Sequence, residues 1–282
     1  MGSAYLTALS GLIANSSAIN ITANNLANLN TVGFKTQSAD FDDMLAGEMD
    51  VPDQTTALGV SEPAAVMQFQ QGGVDTGQGP LDAALSGDGF FVTSGSNGPL
   101  YTRAGDFQVG QDAAGNTALL SQTGNPVEGY MIGANGQAGT GLSEILLPGT
   151  SPSGSVVTGC SIGDGGEVVA SCADGSTFSV AQLAVAQIQN PQTLTDRGSG
   201  DYQVTPNTMG YAALNGTSGV PPYVGTASAI GTQIVGGALE QSGTDVATEL
   251  ANLMVYQRAY EANSKALTTN DAMQETLYDL VA

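Results

Sequence analysis

Histidine and tryptophan are absent from this 282-residue chain, and basic side chains are few. Without histidine, neither a Ser-His-Asp nor a Cys-His catalytic arrangement can form, and a zinc site loses a common ligand. Five basic residues stand against 26 acidic ones, for a net charge of -21 at pH 7. So few cations cannot neutralise phosphates or hold an anionic membrane surface, which argues against nucleic-acid and membrane-surface binding.

Long apolar runs are missing as well. No stretch of about 18 apolar residues is present that would span a bilayer. The first basic residue is Lys35, so the start of the chain lacks the basic region of a cleavable secretory signal. We therefore expect no membrane insertion, and either a cytoplasmic protein or one exported without a cleaved signal peptide.

Cysteine occurs twice, on either side of a predicted β-hairpin. The turn is predicted at Asp164-Gly165, between Cys160 and Cys172. In a two-residue turn centred there, Cys160 would face Val169. By the same register Cys172 would face Val157, so the two cysteines are not cross-strand partners. A disulfide would need a bulge or another register, and the sequence leaves this open.

Two long helices are predicted at the ends of the chain. Gly33 can supply a left-handed turn at the end of the first, and side-chain oxygens of residues 242–245 can cap the start of the second. The first 34 residues contain no charged side chain, and apolar residues recur there at alternating four- and three-residue steps, which is typical of a helix–helix seam. The N-terminal seam residues are Tyr5, Leu9, Leu12, Ile19 and Leu26. The C-terminal seam shifts phase after Leu267 and continues through Met273, Leu277 and Leu280. Its packing residues are Val246, Leu250, Leu253, Tyr260, Leu267 and Leu277. We expect the two ends to pack on each other and on other copies, so these are the predicted subunit-packing residues.

The polar face of the N-terminal helix consists of uncharged Ser, Thr and Asn. A surface helix of a globular domain usually carries charge on that face, whereas burial against other helices excludes it, because a lone buried charge is costly. The pattern favours burial. A polar helix without partners is the alternative.

Between the ends, the sequence predicts short strands separated by glycine-rich turns, for example at 89–92, 107–109 and 167–171. No helix-length segment alternates with these strands, which predicts antiparallel pairing. The predicted fold class is therefore α+β, with long N- and C-terminal helices paired as a coiled-coil-like stalk and a central antiparallel β-rich domain.

No arrangement of side chains in the sequence predicts an enzyme, a cofactor or a metal site. The acidic cluster at 40–43 lacks the glycine and the distant glutamate of an EF-hand loop, so a solvated face is expected. Two other classes remain as alternatives. One is an extracellular acidic binding module with the helices as a stalk. The other is a carboxylate hydrolase with paired acids about 5 to 9.5 Å apart.

Several segments resemble one known family. Residues 24–35 resemble the N-terminal signature of bacterial flagellar rod and hook proteins, and residues 249–265 are similar to the matching C-terminal end. Parts of 81–107 and of 238–242 resemble segments that these axial proteins share. The family-motif residues are Asn24, Asn25, Leu26, Ala27, Asn28, Gly33, Phe34, Gln257, Arg258 and Tyr260.

The resemblance implies a structural subunit that polymerises with its own copies into a hollow tube lined by the paired terminal helices. It implies export through the flagellar type III apparatus without a cleaved signal, and a location outside the cell in the hook and basal body. The implied partners are the export apparatus and other axial proteins, namely those of the distal rod, the hook cap and the hook–filament junction. The implied division is an N-terminal helix of an inner-core domain at 1–34, an extended linker at 35–80, a β-rich body at 81–238 and the C-terminal inner-core helix at 239–282.

The flagellar hook, which links the rod to the filament and transmits torque, is the preferred assignment. Segments 129–132 and 142–148 look more like those of hook proteins than of rod proteins. The distal rod of the basal body is the alternative, because the chain leaves little room for an outer β domain and resembles the distal rod protein in length.

Overall fold

The computed structural model describes residues 2–45, 57–112, 114–133, 138–188, 190–204, 224–227 and 231–281. A helix lies at each end of the chain, the two helices pack on each other, and antiparallel strands lie between them in sequence. The predicted α+β class is confirmed. Segments 46–56 and 205–223, which belong to the predicted linker and body, lie outside the described residues.

The chain forms two compact units that each combine distant segments of the sequence. Unit 1 comprises Met1–Leu29, Thr36–Gln68 and Thr244–Ala282, and unit 2 comprises Asn30–Lys35 and Phe69–Gly243. The four-part division expected from the sequence stays a prediction.

Helix α1 spans Gly2–Ala27 and helix α2 spans Val246–Val281. As the sequence predicts, α2 begins with a side-chain cap: Asp245 Oδ1 accepts a hydrogen bond from the Thr248 backbone N–H at 2.8 Å. At the end of α1, the Asn28 backbone N–H is shared between the carbonyl oxygens of Asn24 and Asn25, at 3.1 and 3.2 Å. Across the described ranges, neither helix has an apolar stretch suited to crossing a membrane.

Four short strands accompany the helices in unit 1: β1 Gln37–Asp40, β2 Asp43–Leu45, β3 Ala57–Val60 and β4 Ala64–Met67. β1 pairs with β4 and β2 pairs with β3, both antiparallel. β3 lies against α1, where Ser10 Oγ accepts a hydrogen bond from the Val60 backbone N–H at 3.3 Å. Much of the region between residues 36 and 68 therefore packs with the helices.

The described part of unit 2 is a system of antiparallel strands. They are β5 Val74–Thr76, β6 Ala83–Ser86, β7 Phe90–Gly95, β8 Gly98–Thr102, β9 Gln108–Gln111, β10 Thr117–Leu120, β11 Glu128–Ile132, β12 Ala138–Glu144, β13 Val157–Ile162, β14 Glu167–Cys172, β15 Thr177–Ala186, β16 Leu194–Gly198, β17 Asp201–Val204, β18 Val224–Thr226, β19 Gln233–Gly236 and β20 Ala238–Glu240. The main sheet has the order β12-β11-β15-β7-β8-β17-β16, and β14 and β18 also pair with β15. β13 extends the sheet from β14, while β9–β10, β6–β19 and β5–β20 form separate ladders.

The core of unit 2 lies around β15, whose second half is almost entirely buried. The rings of Phe91 and Phe107 meet edge to face there, with centroids 5.1 Å apart. Leu85, Leu119 and Ile145 are fully buried beside them. Unit 2 thus has an ordinary apolar core made from its own large side chains.

The hairpin at the cysteines forms as predicted, with a different register at one end. Cys172 pairs with Val157 as expected, whereas Cys160 pairs with Ala170 and not with Val169. The reason is the turn: the Gly163 backbone N–H donates to the Glu167 carbonyl oxygen at 2.9 Å, so three residues and not two separate the strands. A bulge between Val157 and Gly159 then restores the expected pairing at Cys172. Both cysteines are free thiols, and burial raises the pKa of Cys160.

Candidate assembly surface and signature segments

The side of α1 that packs against α2 is lined by small and short polar side chains. Ala14 and Ala18 are fully buried, and Thr22 and Asn25 are also buried. Gly11 lies so close to α2 that an added Cβ would stand 2.6 Å from Asn263 Nδ2. These positions recur at three- and four-residue steps, so the seam within one copy runs beside the stripe of large residues seen in the sequence.

The facing side of α2 is polar. Glu249 and Asn270 are buried, and Tyr256 and Asn263 are half-buried, at a strict seven-residue spacing. The Asn25 side chain hydrogen-bonds Glu249, and burial raises the pKa of that carboxyl group. A seam of alanine, glycine and amides removes little apolar area from water, so it stabilises the pair weakly.

The large apolar residues predicted for subunit packing lie on the flanks of this helix pair, and none of them is buried. Those that are exposed are Tyr5, Leu9, Val246, Leu250, Tyr260 and Leu277. Those that are half-buried are Leu12, Ile19, Leu26, Leu253 and Leu267. Their role as contacts between copies stays a prediction.

The structure exposes further apolar residues on the helices: Leu6, Ile13, Met254, Val255, Met273 and Leu280. The most exposed are Leu280 at 83% and Val255 at 61%. Met273 and Leu280 belong to the shifted seam seen in the sequence. The other four fall outside the heptad positions and were missed, although their size and type were visible there. Exposed apolar residues this numerous on one helix pair indicate an interaction surface.

A shallow groove beside α1 collects several of these side chains. Its lining consists of Leu9, Leu12, Ile13, Ser16, Ser17, Asn20, Glu62 and Tyr260. The one charged group, Glu62, is held by Ser17, whose Oγ donates to Glu62 Oε1 at 3.4 Å. The groove is therefore lined by four apolar or aromatic and four polar side chains.

In the N-terminal signature, Asn25 fixes the chain that leaves α1. Asn25 Nδ2 donates to the Gln37 carbonyl oxygen at 2.7 Å, and Asn25 Oδ1 accepts the Gln37 backbone N–H at 2.9 Å. Asn28 Nδ2 donates to the Asn24 carbonyl oxygen at 2.9 Å. Leu26 is half-buried and Ala27 is exposed. Asn25 thus acts as a short strand partner for β1, which explains an amide at this position.

Gly33 adopts the left-handed conformation that the sequence predicts, with φ of 67°. A Cβ added here would lie 2.6 Å from the carbonyl carbon of Arg103, so both the backbone conformation and the space require glycine. The Gly33 backbone N–H donates to the Glu240 carbonyl oxygen at 2.8 Å, and the buried Phe34 accepts the Gly243 N–H at 3.1 Å. The residues that follow α1 in sequence and those that precede α2 are therefore bonded side by side within unit 2.

In the C-terminal signature, Gln257, Arg258 and Tyr260 are all exposed on α2. Of these, Tyr260 reaches the groove beside α1, so this motif residue joins the candidate assembly surface.

A buried ion triad sits next to Gly33, where Glu240 lies between two cations. Lys35 Nζ is 2.6 Å from Glu240 Oε1, and Arg103 Nη1 is 3.2 Å from Glu240 Oε2. The Gly72 backbone N–H also donates to Oε1, at 2.9 Å. Burial lowers the pKa of Lys35 and the positive charge of Arg103 adds to this, while Glu240 opposes it.

The two cations are held by the backbone as well. Lys35 Nζ donates to the Gln70 carbonyl oxygen at 2.7 Å, and Arg103 Nη2 donates to the Gly87 carbonyl oxygen at 3.0 Å. The Arg103 guanidinium also stacks 5.3 Å from the centre of the Phe90 ring. Every oxygen of the Glu240 carboxylate is occupied by a donor, so the triad is suited to holding chain segments together and offers no group for catalysis.

Sequence reasoning missed this triad, although its members lie in three segments that resemble the same family, 24–35, 101–107 and 238–242. Two of only five basic residues fall in these segments, and that concentration was the available signal. Within the ranges that the structure describes, no three potential metal ligands come together.

This pair of terminal helices buries small side chains and exposes large apolar ones. Such a pair indicates a structural protein that associates with other chains through its ends. Comparison with known proteins identifies the kind. Residues 6–35 match the family described as "Flagella basal body rod protein", residues 84–170 match "Flagellar hook protein FlgE/F/G D1 domain", and residues 235–280 match "Flagellar basal body rod FlgEFG protein C-terminal".

Similar proteins cover nearly the whole chain. The flagellar basal-body rod protein FlgG of Buchnera aphidicola subsp. Acyrthosiphon pisum is 31% identical, with 96% of each chain covered. FlgG of Bacillus subtilis is 29% identical over 96% of each chain, and the flagellar hook-basal body complex protein FlhP of the same organism is 27% identical over 95% of this chain. The chain therefore belongs to the flagellar rod and hook family of axial structural proteins, which is not a family of enzymes.

Proposed function

We propose that this chain is the distal rod subunit of the flagellar basal body. The observation that carries the proposal is the similarity, along 96% of both chains, to proteins named as the basal-body rod protein FlgG. From the sequence alone, the distal rod is the alternative to the hook. The relatives support the rod over the hook, because they are named as basal-body rod proteins and 96% of their length is covered by this chain.

Polymerisation through the terminal helices is the proposed means of assembly. In one copy the helix pair leaves Leu6, Ile13 and Leu280 in water, and covering each by a neighbour would contribute about 1 to 2 kcal/mol. Side chains of a neighbouring copy would also fill the groove lined by Leu9 and Leu12. The predicted subunit-packing residues are thus proposed as contacts between copies, while the small-residue seam holds each copy's own helices together.

Export without a cleaved signal peptide, through the flagellar type III apparatus, is part of the same proposal. So are a position outside the cell and contacts with other axial proteins at either end of the polymer. These follow from the family resemblance.

Electron microscopy of the purified, full-length protein tests the assignment. A rod subunit should form straight, stiff tubes when concentrated, because a rod transmits rotation along a fixed axis. Discrete particles with no helical order under any assembly condition would contradict the proposal.

The hook is kept as a second candidate because one of the three matching families carries the hook protein in its description, over residues 84–170. Curved tubes in the same micrographs would favour the hook over the rod. Both candidates share the assembly surface on α1 and α2.

A further inference from the structure

Helix α2 carries two exposed charged patches of opposite sign. The basic patch consists of Arg258 and Lys265, which lie seven residues, and therefore about 10.5 Å, apart on one side of the helix. The acidic patch consists of Asp271, Glu275 and Asp279, at four-residue spacing over about 12 Å. All five side chains are exposed.

Within the described residues of one copy, neither patch is neutralised. Among the described residues the only ion pairs are those of Lys35 and Arg103 with Glu240. Glu261, although four residues before Lys265, forms no ion pair with it. The basic segment, with Glu261 included, keeps a net positive charge. A straight helix also cannot bring its own patches together, since Lys265 and Asp271 are about 9 Å apart along the axis and point in different directions.

Two of the three residues of the acidic patch, Glu275 and Asp279, lie on the part of α2 that extends past the start of α1. Two contacts, Asn25 with Glu249 and Gly11 with Asn263, set the antiparallel register of the helix pair. That register places residue 272 beside Gly2, where α1 begins. The nine residues that follow, to Val281, therefore continue for about 14 Å past the start of α1. Glu275 and Asp279, both exposed, therefore lie beyond the part of α2 that packs on α1.

We infer that the acidic patch of one copy binds the basic patch on α2 of a second copy of this chain. The inference rests on the proposed function and names a contact within that assembly. The support for this contact is the charge complementarity of the two patches. With 26 acidic and five basic residues, most surfaces of two copies repel each other. The acidic patch of a second copy finds two cations at nearly its own spacing only at Arg258 and Lys265 on α2.

The geometry of this contact determines the kind of assembly. A reciprocal antiparallel pair of α2 helices would use both patches of both copies, whereas in the head-to-tail arrangement that we propose each bound copy still offers one free patch of each sign. Contacts of this type build open-ended helical polymers and not closed dimers. Because the contact is electrostatic and exposed at its rim, salt would weaken it.

Charge-reversed variants of the full-length protein test the pairing by the critical concentration for polymer formation, measured by sedimentation. Arg258→Glu with Lys265→Glu should raise that concentration about tenfold, and so should Asp271→Lys with Glu275→Lys and Asp279→Lys. All five substitutions in one chain should restore it to near the wild-type value, because the signs are then exchanged between the patches.

The matched control is Asp40→Lys with Asp42→Lys and Asp75→Lys. These exposed acids lie elsewhere, and the net charge changes by the same amount as in the acidic-patch variant. The control should assemble as well as wild type or better, since it lowers general repulsion. Far-UV circular dichroism of each variant checks that the helices are retained.

Wild-type assembly by either charge-reversed variant would overturn the pairing and leave the proposed function intact. The pairing would also be overturned if the variant with all five substitutions did not recover the wild-type critical concentration. A wild-type chain that forms no polymer at all would instead contradict the proposed function, and the pairing with it.

Discussion

The helix pair of unit 1 and the β body of unit 2 place their large apolar side chains in opposite ways. In unit 2, Tyr101, Phe91 and Leu85 are fully buried. In the helices of unit 1, Ala14 and Ala18 are the fully buried apolar residues, while the leucines and isoleucines lie on the flanks. Unit 2 is therefore stabilised from within, whereas the helix pair leaves its large apolar side chains to be covered by the proposed contacts between copies.

Charge follows the same division. The two ion pairs within the described residues form one buried triad in unit 2. The exposed charged side chains of α2 form no ion pair with any described residue. In the proposed assembly, unit 2 carries stability and the helix pair carries association, so each of the following changes should affect one of these properties more than the other.

Removing the centre of the triad should have the largest effect. Glu240→Ala would leave Lys35 and Arg103 as two buried cations without a carboxylate, and breaking such a pair costs about 3 to 5 kcal/mol. Urea unfolding of the full-length chain, followed by tyrosine fluorescence, measures the loss. Asp75→Ala, at an exposed acid, is the control and should change little; equal midpoints for the two variants would show that the triad does not stabilise unit 2.

Truncating leucine and isoleucine should separate the two units most clearly. Leu85→Ala in the core of unit 2 should cost about 2 to 5 kcal/mol of unfolding free energy. Ile13→Ala, at an exposed position, should change the unfolding of the dilute chain by about 0.5 kcal/mol or less. The order should reverse for assembly, where Ile13→Ala raises the critical concentration because a contact between copies is lost. Normal polymerisation of Ile13→Ala would weaken the comparison.

Enlarging a small residue in the seam should loosen the helix pair. Ala18→Leu adds volume at a fully buried position of α1, and overpacking of this kind costs about 1 to 3 kcal/mol. Circular dichroism at 222 nm, which reports mainly on helices, should show the loss in the first part of the thermal transition. Ala23→Leu makes the same change at an exposed position of α1 and should be nearly neutral. A seam that tolerates Ala18→Leu equally well would not be close-packed.

The smallest effect is expected from a single carboxyl group in unit 2. Burial raises the pKa of Asp106, the neighbouring charge of Asp82 adds to this, and Asp106 Oδ1 has no hydrogen-bond partner among the described residues. Because the folded-state pKa is the higher one, this group's contribution to stability grows as pH falls through it and is lost as pH rises.

Asp106→Asn should therefore be slightly more stable than wild type at pH 7, with an advantage that shrinks or reverses at pH 4. Thermal unfolding at the two pH values measures it, with Asp75→Asn as the control. An advantage that grows toward acidic pH would contradict the assigned direction of the pKa shift.

Local patterns in the sequence predicted the local features of this structure. The two helices, the Asp245 cap, the left-handed Gly33 and the 157–172 hairpin each depend on residues close together in the chain. The triad was not predictable in this way, because Lys35 and Glu240 are 205 residues apart and only the folded strands bring them together.

The position of the intrachain seam was hidden for a different reason. Large residues such as Leu9 and Leu12 dominate a periodic pattern, whereas Gly11, Ala14 and Ala18 give a weak signal although they make the closest approach. Likewise, a turn one residue longer than predicted changed the pairing of Cys160, and a bulge beside Val157 restored the predicted pairing at Cys172. The choice between hook and rod depended on similarity along the whole length of the chain, not on any motif.

A reconstruction of the assembled polymer by electron cryomicroscopy tests the central claim most directly, through the environment of the exposed apolar side chains of α1 and α2. The account predicts that Leu6, Ile13 and Leu280 are buried against neighbouring copies, while Ala14 and Ala18 still face α2 of their own chain. A polymer in which those large side chains remain in solvent, with the copies joined through unit 2 alone, would contradict it.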